Sequence, residues 1–523
     1  MYEIRISMRA KLFLLIMQKI CPLSGEAFEI SDEEAAFLKK MNLQLPLYSP
    51  RVRSAMRLAL RNERNLYMRK CDFSGERIFS IYHENQPFPV YKYEYWISDD
   101  WTPPSLDYDP GKDFFEQYDK LQKMTPHVSL FAPYNENCDY VNAAEKNKNC
   151  YMHILSDRCE DCYYTHGIFA CKDCIDCAYI FDSELCYECT DGRKLYRCIM
   201  CFLCDNSSNL AFCFDMRGCS DCFFCHGLRN QKYCIFNKQY SKEEYEKKMA
   251  EMKLSSYAQF EALRKKFIDE IVAGRSYARM INVEHSDGNF LQNCKNCHQC
   301  FDVENAEDCY YFRIGANGVK DIYDCHAIVD GTELMYNCVS STESYNCHNV
   351  IGAWTTKNSF YSQFLQGCED CIGCVSLRRR KNCILNKEYP KEEYEKIKAD
   401  IIAKLGEYYG SPPPFSMAPF SYQDSTFKDY ESMTKDEVEK IGWVYGEQAE
   451  LPVGDYRSGD EIPDDSRSLT SNELKEAYMC PVSGKPFKII PQEIKLLKKI
   501  GVPLPRKHHE VRFQDRVNFR KGD

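Results

Sequence analysis

Five times the chain sets three cysteines at Cys-x-x-Cys-x-x-Cys spacing: Cys171, Cys174 and Cys177; Cys198, Cys201 and Cys204; Cys219, Cys222 and Cys225; Cys294, Cys297 and Cys300; Cys368, Cys371 and Cys374. Thiolates spaced this way ligate zinc when the backbone turns between them, and stacked segments can complete a site of four thiolates. Iron–sulfur ligation uses similar spacings, with a fourth cysteine followed by proline in bacterial ferredoxins. The Cys-Pro pairs here are Cys21-Pro22 and Cys480-Pro481, away from the triplets, so zinc is the favoured metal. Catalysis by a thiol nucleophile ranks last. His326 beside Cys325 is no dyad, because neighbours on a strand face opposite ways. The sequence holds no Walker loop, nucleotide fingerprint or nucleophile elbow.

The same residues obey a longer period. Cys138, Cys150, Cys162, Cys174, Cys186, Cys198, Cys222 and Cys234 recur at twelve-residue intervals, with Leu210 in the missing place. A second column, Cys177, Cys189, Cys201, Cys213 and Cys225, runs three residues later. A fixed short period marks stacked repeats. In the second repeat region Asn296, Asp308, Asp324, Asn337, Asn346, Asn358, Asp370 and Asn382 precede Cys, or Ser359 in one case. Their intervals are 12, 16, 13, 9, 12, 12 and 12, which predicts bulging loops in the middle. Asn and Asp suit left-handed and turn geometry, so one corner per coil is expected, followed by a short strand. In so thin a core, cysteine packs as a small apolar residue before any metal is invoked. Disulfides between adjacent coils are disfavoured, because strands lie ~4.8 Å apart and bridged Cβ atoms about 3.5–4.5 Å.

If each cysteine points in, its successor points out. Tyr151, Tyr163, Tyr187, Phe223, His298, Tyr310, His326, His348 and Phe360 then form an aromatic and imidazole face. That face either packs on the chain's own helices or receives a protein partner or a second copy. His298, His326 and His348 are further candidate metal ligands, on coils whose irregular intervals work against alignment.

The elements that position these residues follow from composition and internal matches. The chain has 523 residues, 44 % hydrophobic, 31 cysteines and a net charge of −10. The acidic balance argues against general coating of nucleic acid. The apolar run Leu12–Met17 is too short for a signal or a membrane span, so a reducing cytoplasm and no membrane are expected. The expected fold is mainly β, α+β overall. It has two β-solenoid lobes of about twelve residues per coil, each followed by a helical segment, flanked by small zinc-ribbon-like modules. Residues 1–16 read as a candidate non-native extension, with Met17 a candidate start. Residues 17–70 form a degenerate zinc-knuckle module with a basic helix, and 71–135 a second ribbon-like module with an amphipathic helix through Phe114, Phe115, Tyr118 and Leu121. The first solenoid is 136–240, followed by helix at 241–274; the second is 286–389, followed by helix at 390–406. Residues 407–475 read as linker and short helix, and 476–523 as a third knuckle module. The first and third modules match at a constant offset of 459, and the two lobe ends at 149.

Cys21-Pro-Leu-Ser24-Gly25, Cys71-Asp-Phe-Ser74-Gly75 and Cys480-Pro-Val-Ser483-Gly484 read as knuckles with serine for the second ligand. From about Gln18 onward the chain resembles an uncharacterised family of cysteine-rich bacterial proteins. In that family zinc-ribbon-like modules flank Asn/Asp-Cys repeats ending in Asn-Lys-x-Tyr-x-Lys-Glu-Glu-Tyr, here Asn237–Tyr245 and Asn386–Tyr394. The resemblance implies missing second ligand pairs near Ser49 and Val52, Lys92 and Tyr95, and His508 and Val511, so ribbon folds that have lost their metal are expected. It implies no activity. The basic stretches Arg51–Lys70 and Arg506–Lys521 either touch nucleic-acid phosphates or form solvated helix faces. The expected function is a non-enzymatic scaffold or protein-binding protein with a thiol-rich core. The alternatives are a multi-site zinc (less favoured, iron–sulfur) or redox protein, and a nucleic-acid-associated protein.

Overall fold

The computed structural model describes residues 17–275, 278–311, 313–316, 318–324, 326–447, 454–468, 476–518 and 520. The expected extension 1–16 and Cys325 lie outside them. The molecule is mainly β with packed helices. Its bulk is two long sheets of short parallel strands laid down in chain order. The first runs from Asp139–Glu145 to Lys232–Ile235. Its register repeats by twelve residues: Asp139 pairs with Tyr151, Tyr151 with Tyr163 and Cys222 with Cys234. The second sheet runs from Met280–Glu284 to Lys381–Ile384. Its partners stand eleven apart at first (Met280 with Leu291), then thirteen (Ala306 with Val319), then twelve (Glu369 with Lys381).

Each coil turns four times, not once. Left-handed φ values near 50° recur at every third residue, as at Asn137, Tyr140, Ala143, Lys146 and Asn149. This corrects two expectations. The side of a coil is three residues long, so one residue in three faces inward. The intervals of 16 and 9 come mainly from the signature moving by one side, on middle coils that do carry one extra residue. They are one coil plus a side (Asp308 to Asp324) and one coil less a side (Asn337 to Asn346). A left-handed residue other than Gly, Asn or Asp costs roughly 1–2 kcal/mol. Hydrogen bonds between coils offset this. A corner N–H donates to the preceding coil, Asn149 to the Glu136 carbonyl at 2.9 Å and Asp173 to Glu160 at 3.0 Å. Corner amides also ladder, Asn137 Nδ2 to Asn149 Oδ1 at 2.8 Å and Asn293 to Asn305 at 2.8 Å.

Both ladders end in a short antiparallel return, Lys238–Gln239 and Lys387–Glu388. The Asn237 carboxamide accepts from the His226 N–H at 2.8 Å and donates to its carbonyl at 2.9 Å. Asn386 does the same to Val375, at 2.9 and 3.0 Å. Each carboxamide replaces the peptide group another coil would supply, so the Asn-Lys-x-Tyr segment is a stop.

The helices lie outside the ladders. Among the described residues the longer ones, in chain order, are α1 (Asp32–Lys40), α2 (Pro50–Leu58), α3 (Phe114–Met124), α4 (Lys242–Ala250), α5 (Tyr257–Phe267), α6 (Lys391–Leu405), α7 (Pro491–Ile500) and α8 (His509–Asn518). Ser31 caps α1 by accepting from the Glu34 N–H at 3.1 Å, and α6 ends at Gly406 with φ 50°. The stretch expected to be a linker is packed instead. Phe415, Tyr422, Phe427 and Trp443 form one core with Cys21, Phe28 and Val52. Asn349 pins it by donating to the Gly410 and Ser411 carbonyls at 2.9 and 3.1 Å.

Candidate functional site

All the triplet cysteines face the interior of their lobe: Cys171, Cys174, Cys177, Cys198, Cys201, Cys204, Cys219, Cys222, Cys225, Cys294, Cys297, Cys300, Cys368, Cys371 and Cys374 are each at most 2 % exposed. Three residues apart, they occupy successive sides of a coil. The backbone does turn between them, but it turns around the core.

The thiols are hydrogen-bonded to backbone carbonyls. Cys174 donates to the Lys172 carbonyl at 3.3 Å, and Cys171 to Phe169 at 3.3 Å and, one coil on, to Ile180 at 3.5 Å. Serine and threonine at inward places make the same bond: Ser183 to Phe181 at 2.8 Å, Ser359 to Lys357 at 2.8 Å and Thr356 to Trp354 at 3.1 Å. The inward N–H of the next coil returns to that side chain. Leu195 donates to Ser183 Oγ at 3.0 Å, Cys219 to Ser207 Oγ at 3.1 Å, and Cys150 to Cys138 Sγ at 3.3 Å. A buried N–H without a partner costs about 1–3 kcal/mol. The core therefore favours a small side chain that both donates and accepts. Burial lifts Cys204 and Cys309 above the ordinary thiol range. Among the described residues, no group of three or more His, Cys, Asp or Glu is arranged to hold a metal ion. His298 pairs with Asp287 at 2.7 Å, and His348 is buried against Phe360 with Nε2 3.3 Å from the Tyr409 hydroxyl. The His326 side chain lies outside the described ones.

This arrangement makes a direct prediction. Cys201→Ser, which keeps the hydrogen bond to the Ile199 carbonyl, stays within about 1 kcal/mol of wild type in urea unfolding. Cys201→Leu overpacks the coil and costs about 1–3 kcal/mol. Equal losses would mean that the sulfur itself, not its size and hydrogen bonding, holds the core.

The outward aromatic residues are mostly covered by the chain itself. On the first lobe, Tyr163, Tyr187, Phe212 and Phe223 pack with Tyr245 of α4, Phe260 of α5 and Leu497 of α7. On the second, Tyr323, Tyr336, Phe360 and Tyr361 pack with Phe37 of α1, Phe114 of α3 and Tyr394 of α6. Tyr151 and Tyr310 remain partly exposed. The terminal modules thus cross over: the first covers the second lobe, and the last covers the first.

Each is held by a buried clamp that sequence reading missed. Arg53 Nε lies 2.5 Å from Asp324 and its NH2 3.5 Å from Glu34, and Arg57 NH1 is 3.7 Å from Asp324. At the other end Arg512 contacts Asp176 and lies 3.3 Å from Glu493, and Arg516 NH1 is 3.1 Å from Asp176. Lys40–Asp321 at 2.7 Å and Lys499–Asp173 at 2.8 Å flank them in the same way. The module residues of these pairs obey the offset of 459, and the acceptor aspartates are corner residues of the two ladders. The signal was present in the sequence, since Glu34 maps to Glu493 and Arg53 to Arg512, but Ser31 and Glu34 also stand at capping-box spacing, which hides it. Much of each basic stretch is therefore turned into the protein. Arg53 and Arg516 are each 1 % exposed, and Arg57, Arg61 and Arg512 are also buried. Arg520 bridges both lobes through Asp191, at 2.9 Å, and Asp302.

The three knuckle cysteines share one geometry. Each closes a tight turn, the glycine N–H donating to the cysteine carbonyl at 2.8 Å (Gly25, Gly75) or 3.0 Å (Gly484). The Lys92 N–H lies 3.4 Å from Cys71 Sγ and the Ser483 N–H 3.5 Å from Cys480 Sγ. Burial pushes these thiols up. The Ser24, Ser74 and Ser483 hydroxyls, with backbone N–H groups that include Ser49, Lys92 and His508, outweigh it and hold Cys21, Cys71 and Cys480 below the ordinary range. Those second N–H donors sit where the missing ligand pairs were expected.

No family model and no curated protein matches the chain. Among solved structures, the chain is similar to the crystal structure of a "putative acetyltransferase" from Desulfovibrio desulfuricans G20, with 11 % identity over 50 % of this chain and 68 % of that one, at a TM-score of 0.11. So low a score carries no argument about fold or function. No described helix is long and apolar enough to cross a membrane.

Proposed function

We propose that this protein is a non-enzymatic scaffold: two short-coil β-solenoid lobes with thiol-lined cores, locked by two terminal knuckle modules that have lost their zinc. One observation carries the reading. Inward cysteine, serine and threonine make interchangeable hydrogen bonds to the same backbone positions, so the thiols serve packing and amide satisfaction. The pattern of the uncharacterised cysteine-rich bacterial family fits, as does a reducing cytoplasm, where such thiols stay protonated. In this reading the multi-site zinc alternative loses its ligands to the core, and the nucleic-acid alternative loses its arginines to the clamps.

Elemental analysis joined to thiol titration tests it. The purified chain is expected to carry no more than trace zinc or iron, with few of its 31 thiols reacting before denaturation and all of them after. Several zinc ions per chain, or an iron–sulfur absorption band, would overturn the reading.

A further inference from the structure

Three of the four ladder ends are closed. The Asn237 and Asn386 returns stop the two C-terminal ends. The first rung of the first lobe is covered by residues 131–133, the Ala144 N–H donating to the Phe131 carbonyl at 3.1 Å and Lys146 to Pro133 at 3.4 Å. There the inward Val141 and Ala144 are 5 % and 1 % exposed. Among the described residues the fourth end, Met280–Glu284, pairs only with the strand after it.

Its exposure follows. Met280 is 38 % exposed, Asn282 and Glu284 are exposed, and Val283, which belongs to the apolar core of the second lobe, is only partly covered. At interior coils the corner N–H donates backwards, as Asn296 does to the Glu284 carbonyl at 3.0 Å. The corners Asn282 and His285 have no preceding coil among the described residues to receive theirs. Asn282 also starts an amide ladder, donating to Asn293 Oδ1 at 2.9 Å, which leaves its own oxygen facing the open side. An apolar core end beside a row of unpaired backbone groups is a template for another strand, and repeat proteins need their ends capped.

We infer that this end is a self-association surface, and that its occupant is the same strand of a second copy. The inference rests on the scaffold reading above and gives the scaffold a partner. The strand is self-complementary under a two-fold axis through Asn282. Antiparallel pairing sets Asn282 against its counterpart, Ile281 against Val283, and Met280 against Glu284. An isologous contact of this kind closes after two copies, whereas head-to-tail stacking is blocked by the Asn386 stop.

Sedimentation equilibrium and light scattering on the full chain test this across a concentration series. A dimer is expected for wild type, with protection of the 280–284 amides against hydrogen exchange that rises with concentration. Asn282→Lys, at an exposed position, is expected to weaken dimerisation at least tenfold while lowering the unfolding midpoint only slightly, through its left-handed corner and the lost bond to Asn293. Val283→Lys gives a second and stronger block. A wild-type monomer at every concentration, or a dimer indifferent to both variants, would overturn the inference. Neither outcome touches the thiol and metal measurements that test the scaffold reading.

Discussion

Asp176→Ala is expected to cost about 3–5 kcal/mol of stability, because it leaves two buried guanidinium groups without their shared counterion. Arg512 and Arg516 both converge on Asp176, whose side chain is fully buried. Asp324→Ala makes the same loss at the other clamp, where Arg53 and Arg57 converge. A control lies three residues away in each lobe. Asp173 and Asp321 meet lysines that are 53 % and 50 % exposed. Such half-exposed pairs are worth about 0–1 kcal/mol, so Asp173→Ala and Asp321→Ala change little. Urea unfolding followed by tryptophan fluorescence separates the two classes. If the inner and outer aspartates cost the same, the clamps do not hold the modules down.

The second large effect is a pH dependence set by Glu34 and Glu493. Burial raises both carboxyls from 4.5 to about 7, against the pull of Arg53 and Arg512, and Asp324 and Asp176 push the same way. A raised folded-state value means that the folded chain prefers the protonated acid. The stabilisation is complete below pH 4.5 and is lost as pH rises through about 7. At about 1.4 kcal/mol per pH unit, each site forfeits about 3 kcal/mol across that window. Glutamine keeps the shape without the ionisation. The Glu34→Gln/Glu493→Gln chain should match wild type near pH 4.5 and exceed it increasingly up to pH 8. Parallel stability curves for the two chains across that range would refute the assignment.

The period of twelve and its columns were legible in the sequence, because inward positions tolerate few side chains and so repeat visibly. The number of corners was not. Asn and Asp stand at only some of the corners, such as Asn137 and Asn149, while Tyr140, Ala143 and Lys146 adopt the same left-handed backbone without a compositional sign. That concealment made the cysteine triplets look like turn-borne ligands, when a side of three residues already turns each thiol inward. The outward face was legible as aromatic, but its cover was not. Covering it takes contacts between Phe37 and Tyr323, or Phe260 and Phe212, far apart along the chain. The clamps were hidden for a related reason. Glu34 satisfies a local helix-start pattern, and only the distant Arg53 and Asp324 reveal that its carboxyl turns into the protein. The packed stretch 410–443 was obscured by three prolines, which read as a linker until Trp443 and Phe415 stack at 5.2 Å.

The crossing of the terminal modules has a consequence for synthesis. A coil ladder can assemble progressively as it leaves the ribosome, since each coil needs only its neighbour. The clamps cannot. Arg53 waits for Asp324, 271 residues further on, and Asp176 waits 336 residues for Arg512. Contacts of such long range raise the contact order and come late in folding. The first lobe therefore stays with Tyr164 and His166 uncovered until α8 brings His509 and Phe513 onto them. A product truncated before α7 would leave that surface open, so synthesis has to run through α8 before it closes.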